Sequence, residues 1–237
     1  MMLPMQAVIL AAGRGTRMKE LTETIPKPLL LVLGKSLLEH KLAALPDEVD
    51  EVIIVVGYQG DQIKERLGDS AHGKKIRYVV QEKLDGTAGA LWKAQPLLQG
   101  QFLVLMADDI YSREDIEKCM RNGGWIVVVE PTDAMAAGGS VVTDEAGMVV
   151  DIKEGDHRGE KGLMNTNFFL LDERFFSHPP MRISEGSEEY GLPQTAVVIA
   201  KRDGIPFKAI ETSFWIRITS PEDLVEAEKR LRAKMSQ

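Results

Sequence analysis

Short apolar runs alternate with amphipathic stretches through the first half of the chain, and few folds accept that order. Residues 6–11, 51–56, 76–80, 102–106 and 125–129 are apolar runs of strand length. Residues 36–45, 61–67, 87–98 and 113–121 lie between them and read as helices. Ser36 stands where it would cap the first helix and Gly68 where the second would stop, while Asn122, Gly123 and Gly124 would end the last. Strands joined by helices of this length cross over right-handedly and pair in parallel. The order predicts an α/β fold with a Rossmann-like, mostly parallel central sheet and flanking helices.

After Pro131 the pattern changes. Residues 140–143, 148–152, 167–171, 207–210 and 214–218 read as strands without long helices between them. One helix is expected over 192–201 and a closing helix over 221–233. Ser220 would cap the closing helix, with Pro221 at its first position and Glu222 and Asp223 in its first turn. No repeat, low-complexity linker or composition break divides the chain. The expectation is a single domain over 1–237: a first lobe over about 1–130, a smaller mixed β lobe over about 131–218, and a closing helix over 220–235, with no room for an appended domain.

Composition narrows the class of function. With 44% hydrophobic and 27% charged residues in 237, the chain is ordinary globular protein, neither disordered nor a disulfide scaffold. No apolar run approaches the ~20 residues of a membrane span. The N-terminal segment lacks the basic start of a signal peptide, its first charge being Arg14, and reads better as a buried strand. The single cysteine, Cys119, suits a reducing cytoplasm and reads as a small apolar filler on a helix. A net charge of −7 argues against nucleic acid, which asks for a basic face. Any anion must be met in a locally positive pocket.

Such a pocket is written directly after the first strand, as LAAGRGTRM over 10–18. Gly13 and Gly15 allow the backbone close to a ligand, and consecutive free N–H groups there make an anion nest. Arg14 and Arg17 add guanidinium forks suited to phosphate oxygens. Pro26 and Pro28 stiffen the turn around Lys27, a second point charge. Met18 stands where a dinucleotide fingerprint needs glycine, and Leu29 where a Walker loop would. Further on, the Gln81 amide is able to donate and accept at once, as reading a base edge requires. Gly86 would let the backbone approach and Thr87 would open the next helix. Asp108 and Asp109 end a buried strand, and ligands of open α/β sheets sit at the carboxyl ends of strands. A carboxylate placed there beside phosphates suits Mg²⁺. His40, His72, His157 and His178 are scattered and form no catalytic signature.

AVILAAGRGTRM (7–18) followed by PKPLL (26–30) resembles the sugar-1-phosphate nucleotidylyltransferases, and the resemblance runs through essentially the whole chain. It implies that Gly13, Gly15, Thr16 and Arg17, with Leu10, Ala12 and Arg14 beside them, hold the nucleotide phosphates. Arg17 and Lys27 would stabilise charge. It places Gln81, Gly86 and Thr87 at the base, Asp108 at Mg²⁺, and Gly139, Glu154 and Asn165 at the sugar. Asp109 and Arg217 carry no settled role. The implied reaction joins a nucleoside triphosphate, UTP or dTTP for preference, to a sugar 1-phosphate with release of pyrophosphate. Partners would be those two small molecules, with no nucleic acid and no membrane, and a homo-oligomer is compatible.

Several positions depart from the family pattern. Glu20 and Leu21 replace a common Pro-Leu, Gly155 a lysine, and Asn167 a glycine. Arg217 occupies the place of a metal-binding aspartate and Thr219 that of a glycine. Arginine has no free acceptor and does not ligate Mg²⁺. Arg217 is therefore expected to pair with Asp108 or with a phosphate. Two alternatives remain: a catalytically weak or inactive nucleotide-sugar-binding regulatory homologue, and a cytidylyl- or guanylyltransferase with a different phosphorylated acceptor.

Overall fold

The computed structural model describes residues 5–236. The first half runs β1 (Met5–Ala11), α1 (Leu21–Thr24), β2 (Leu31–Val32), β3 (Lys35–Ser36), α2 (Leu37–Ala44), β4 (Val49–Val56), α3 (Gly60–Leu67), β5 (Ser70–Ala71), β6 (Lys74–Val80), α4 (Gly86–Ala94), β7 (Gln101–Met106), β8 (Asp109–Tyr111) and α5 (Arg113–Asn122). The second runs β9 (Trp125–Thr132), β10 (Gly138–Thr143), β11 (Val149–Gly155), β12 (Gly162–Asp172), α6 (Leu192–Asp203), β13 (Phe207–Glu211), β14 (Trp215–Arg217) and α7 (Pro221–Met235).

β1 lies at the centre, paired in parallel with β4 and β7, and β6 continues in parallel beyond β4. Successive side chains of β1 point to opposite faces. Ala7, Ile9 and Ala11 join a core with Leu38, Leu42, Ile63 and Ile116 of α2, α3 and α5. Val8 and Leu10 join a second core with Leu91, Ala94, Ala196 and Val197 of α4 and α6. Burial on both faces explains why these strands read as unbroken apolar runs. Cys119 is wholly buried on α5, in the first of these cores.

The strands of the second half extend the same sheet. β12 pairs antiparallel with β7 along one edge and with β9 along the other, β13 adds in parallel beyond β9, and the β10–β11 hairpin pairs with the start of β12. Among the described residues this makes one sheet of ten strands.

Local signals set most boundaries. Ser36 and Glu39 form a reciprocal capping box at the start of α2, as Ser220 and Asp223 do at α7. The helix expected to 98 stops at Ala94, because Pro96 has no N–H to continue the ladder, and a single 3₁₀ turn follows. The strand expected over 214–218 shortens to β14. It pairs with β8, a strand not anticipated, in a ribbon apart from the main sheet. Ile110, Ile216, Ile218 and Ala227 pack with Met18 and Leu37 in a third core, so the closing helix sits against the segment that follows the glycine turn. No helix among the described residues is long and apolar enough to cross a membrane.

Candidate active site

Parallel pairing brings the carboxyl ends of β1, β4 and β7 together, with Leu10 opposite Met106 and Ala11 opposite Val56. The glycine turn, Gln81 and Asp108 therefore share one edge of the sheet.

At Gly15 the backbone takes φ +64°, and a Cβ there would lie 2.9 Å from the Cβ of Lys27. Only glycine serves both conditions. Pro26 sets up a 3₁₀ turn over Lys27–Leu29, and the lysine side chain passes over Gly15 into the site. Its Nζ donates to Asp108 Oδ2 at 2.6 Å and to the carbonyl of Ile218 at 2.5 Å. The lysine side chain is 7% exposed and the aspartate 29%, so the pair closes a floor whose outer member still meets solvent. A cavity of about 210 Å³ lies over it, lined by Leu10, Gly13, Gly15, Thr16, Arg17 and Asp108 among others. A Cβ on Gly13 would meet nothing within 4 Å, which leaves the approach to this turn open.

A second cavity, of about 360 Å³, shares Leu10, Gly13 and Met106 with the first and is lined also by Ala12, Arg14, Gln81, Gly86 and Thr87. Gly86 has φ +97°, and a Cβ there would lie 2.3 Å from the carbonyl oxygen of Tyr190. Its glycine character answers to protein backbone: Tyr190 N–H donates to the Asp85 carbonyl at 2.7 Å, and Ala88 N–H to the Tyr190 carbonyl at 3.0 Å. The segment before α6 is laced onto the loop before α4.

A third cavity, of about 490 Å³, meets the first at Arg17 and is lined further by Glu130, Ala137, Met164, Arg217 and Arg230. Gly139, Glu154 and Asn165 come together next to it, since Gly139 pairs with Glu154 across β10–β11. A Cβ on Gly139 would lie 2.8 Å from Glu154 Oε1 and 3.1 Å from Asn165 Cβ. Burial raises the Glu154 carboxyl above its usual range, against the opposing pull of Arg217 and His157. Asn165 is committed to the strand: its amide donates to Asn167 Oδ1 at 3.0 Å and accepts from Asn167 N–H at 2.9 Å. That pair staples a bulge at which Asn167 takes φ +56°, a conformation natural to the glycine of the family pattern.

Arg217 does not meet Asp108. Its guanidinium donates to the Ala137 carbonyl at 2.7 Å, across the third cavity. The expected pairing with Asp108 is corrected on this point: β14 lies opposite β8, which directs Arg217 toward the start of β10, and Lys27 already holds the aspartate. Asp109, in turn, faces the core. It is 5% exposed, and its Oδ2 accepts from Trp215 Nε1 at 3.0 Å. Lys41 of α2, also buried, donates to the Asp109 carbonyl. Burial, together with the Asp108 charge, pushes Asp109 up to about 7, and burial pulls Lys41 down to about 8. Lys41 and Asp85 are contributors to which motif reading gave no role, while Tyr190 lies in the segment 189–194, which resembles a family segment just before a helix. Nothing local marked Lys41, whose partner lies 68 residues away.

A family model described as nucleotidyl transferase matches residues 6–233. The UTP–glucose-1-phosphate uridylyltransferase AglF of Haloferax volcanii is 30% identical over 241 residues, covering 98% of this chain and 99% of that one. The bifunctional protein GlmU of Methanocaldococcus jannaschii is 28% identical over 234 residues, and the chain spans 55% of its length. Among solved structures, a putative glucose-1-phosphate thymidylyltransferase from Bacillus anthracis superposes with a TM-score of 0.81 at 24% identity, covering 96% of this chain and 95% of that one. HddC from Yersinia pseudotuberculosis gives 0.75 at 23%, covering 96% and 99%. At these identities the two structures speak for the fold.

Proposed function

The chain belongs to the nucleotidyl transferase family, and from that premise we propose that it joins a nucleoside triphosphate, UTP or dTTP, to a sugar 1-phosphate, giving a nucleoside diphosphate sugar and pyrophosphate. The observation that carries the reading is Lys27, pinned over Gly15 and held 2.6 Å from Asp108 in a cavity that also presents Arg17. The cavity on one side, with Gln81, suits a base. The one on the other, beside Gly139 and Glu154, suits a sugar.

An ionised phosphate oxygen is already a nucleophile at neutral pH, so the sugar phosphate needs no enzyme base to attack the α-phosphorus in line. The bond to the α-phosphorus forms as the one to pyrophosphate breaks. Catalysis then consists of positioning and of charge stabilisation. Arg17 and Lys27 meet the charge on the α-phosphoryl group and on the departing pyrophosphate. The Ile218 carbonyl and Asp108 keep the lysine from following its leaving group.

Mg²⁺ belongs to the same proposal. Asp108 would hold it: Oδ2 is taken by Lys27, while Oδ1 has no hydrogen-bond partner among the described residues. Those residues offer no group of three or more His, Cys, Asp or Glu side chains that could hold a metal ion by themselves. The donor set therefore fits an ion that takes one carboxylate and completes its shell with phosphate oxygens and water. When bound, it would supply positive charge between the phosphates.

The test is pyrophosphate release across a matrix of nucleoside triphosphates and sugar 1-phosphates, with and without Mg²⁺. Release with a uridine or thymidine triphosphate and one sugar 1-phosphate supports the reading, and none with any pair refutes it. Arg217 favours a second reading, a homologue that binds but turns over weakly, because its guanidinium is engaged by the Ala137 carbonyl. Tight nucleotide binding without release would select it.

A further inference from the structure

The Gln81 amide has one polar atom left to offer. The residue is 4% exposed, and its Nε2 donates to Asp85 Oδ1 at 2.8 Å and to the Gly86 carbonyl at 3.0 Å. A carboxylate and a carbonyl only accept, so the nitrogen end must face them, and both amide hydrogens are used. Oε1 has no donor among the described residues, and Gln81 lines the second cavity. The carboxylate that imposes this orientation together with the Gly86 carbonyl is itself seated. A Cβ on Gly89 would come within 2.0 Å of Asp85 Oδ1, so glycine leaves the room the carboxylate occupies. The Asp85 carbonyl is fixed in turn by Tyr190 N–H.

We infer that Asp85 is a positioning residue for base choice: it turns the Gln81 amide oxygen-outward, so that the cavity selects nucleotides whose base presents a ring N–H. The inference rests on the proposed reading of this cavity as the base site. Uracil, thymine and guanine carry a ring N–H beside a carbonyl. Cytosine and adenine carry a ring lone pair in the equivalent place, which would face Oε1 lone pair to lone pair. Asp85 touches no substrate and acts through Gln81. An asparagine at 85 brings an N–H₂ of its own, able to donate to Gln81 Oε1. The Gln81 nitrogen is then held inward by the Gly86 carbonyl alone, and the turned-over amide, which shows nitrogen to the base, gains population.

The experiment measures Kd by calorimetry, and kcat/KM by pyrophosphate release, for UTP, dTTP, GTP, CTP and ATP. It compares the unmodified protein with Asp85→Asn and, separately, with Gly89→Ala, which crowds the same carboxylate without altering its charge. The unmodified protein is expected to favour the ring N–H bases over CTP and ATP by about tenfold or more, the scale of one buried hydrogen bond. Both variants are expected to lose part of that ratio, about threefold or more, chiefly in Kd. A uniform loss across all five nucleotides would reduce Asp85 to a structural role and overturn the inference. Equal binding of all five by the unmodified protein would overturn it too, while leaving nucleotidyl transfer standing. No binding of any nucleotide would overturn both.

Discussion

At the scale of single residues the site depends on Lys27. Replacing it with methionine keeps the stem and removes the charge that faces Asp108 and, on the proposed function, the phosphates. The expected outcome is a loss in kcat of about 10²–10³-fold, as when one oxyanion donor is removed, read by pyrophosphate release. Stability should fall by about 1–3 kcal/mol, because the Ile218 carbonyl and Asp108 lose their donor. Arg217 gives a prediction of opposite sign. Arg217→Asp places a carboxylate at the ribbon position opposite Asp109, and the Mg²⁺ concentration for half-maximal activity should fall; an unchanged metal titration would show that position 217 does not reach the ion. Cys119, wholly buried, has its thiol pushed up to about 12 by burial. The fixed place of Lys27 was legible because prolines on either side announced a stiff turn. The direction of Arg217 was not, because it follows from the pairing of β14 with β8, two strands about a hundred residues apart in the chain.

At the scale of elements, the caps were local and readable, while the tie between α5 and the turn before β14 was not. Ser112 caps α5, and Asp115 in its first turn accepts from Thr212 Oγ1 at 2.7 Å and from Ser213 N–H at 2.9 Å. Burial alone would raise this carboxyl, but the hydrogen bonds from Thr212, Ser112 and Ser213 outweigh it and hold it below its usual range. A carboxyl lowered by folding contributes stability above its unfolded pKa of about 3.9 and loses it as pH falls through the folded value. Asp115→Ala should therefore cost about 1–3 kcal/mol at pH 7. Urea unfolding repeated in acid should show the gap closing. A gap independent of pH would mean that the loss is one of packing. Read along the chain, Asp115 carries no role, since its partners lie 97 and 98 residues away.

At the scale of the whole molecule, the buried Lys41, Asp109, Tyr111 and Trp215 join four elements beneath the site. Lys41 comes from α2, Asp109 and Tyr111 from β8 and Trp215 from β14, while the Tyr111 hydroxyl donates to the Thr166 carbonyl in β12 at 2.9 Å. Lys41→Met would leave the buried Asp109 backbone carbonyl without its donor, and a destabilisation of about 1–3 kcal/mol is expected from chemical denaturation.

The sequence by itself determined the parallel half of the sheet, the glycine turn and the acidic strand end. Each is announced by residues close together in the chain: apolar runs of strand length between amphipathic stretches, glycines where φ turns positive, and fixed prolines. Tertiary structure alone decided that the second-half strands extend the same sheet, that Asp109 faces the core while Asp108 faces the cavity, that Arg217 crosses to β10, and that Gly86 and Gly89 are small to admit Tyr190 and Asp85. Those outcomes depend on which distant backbones meet, and one sequence read along its length carries no term for that meeting.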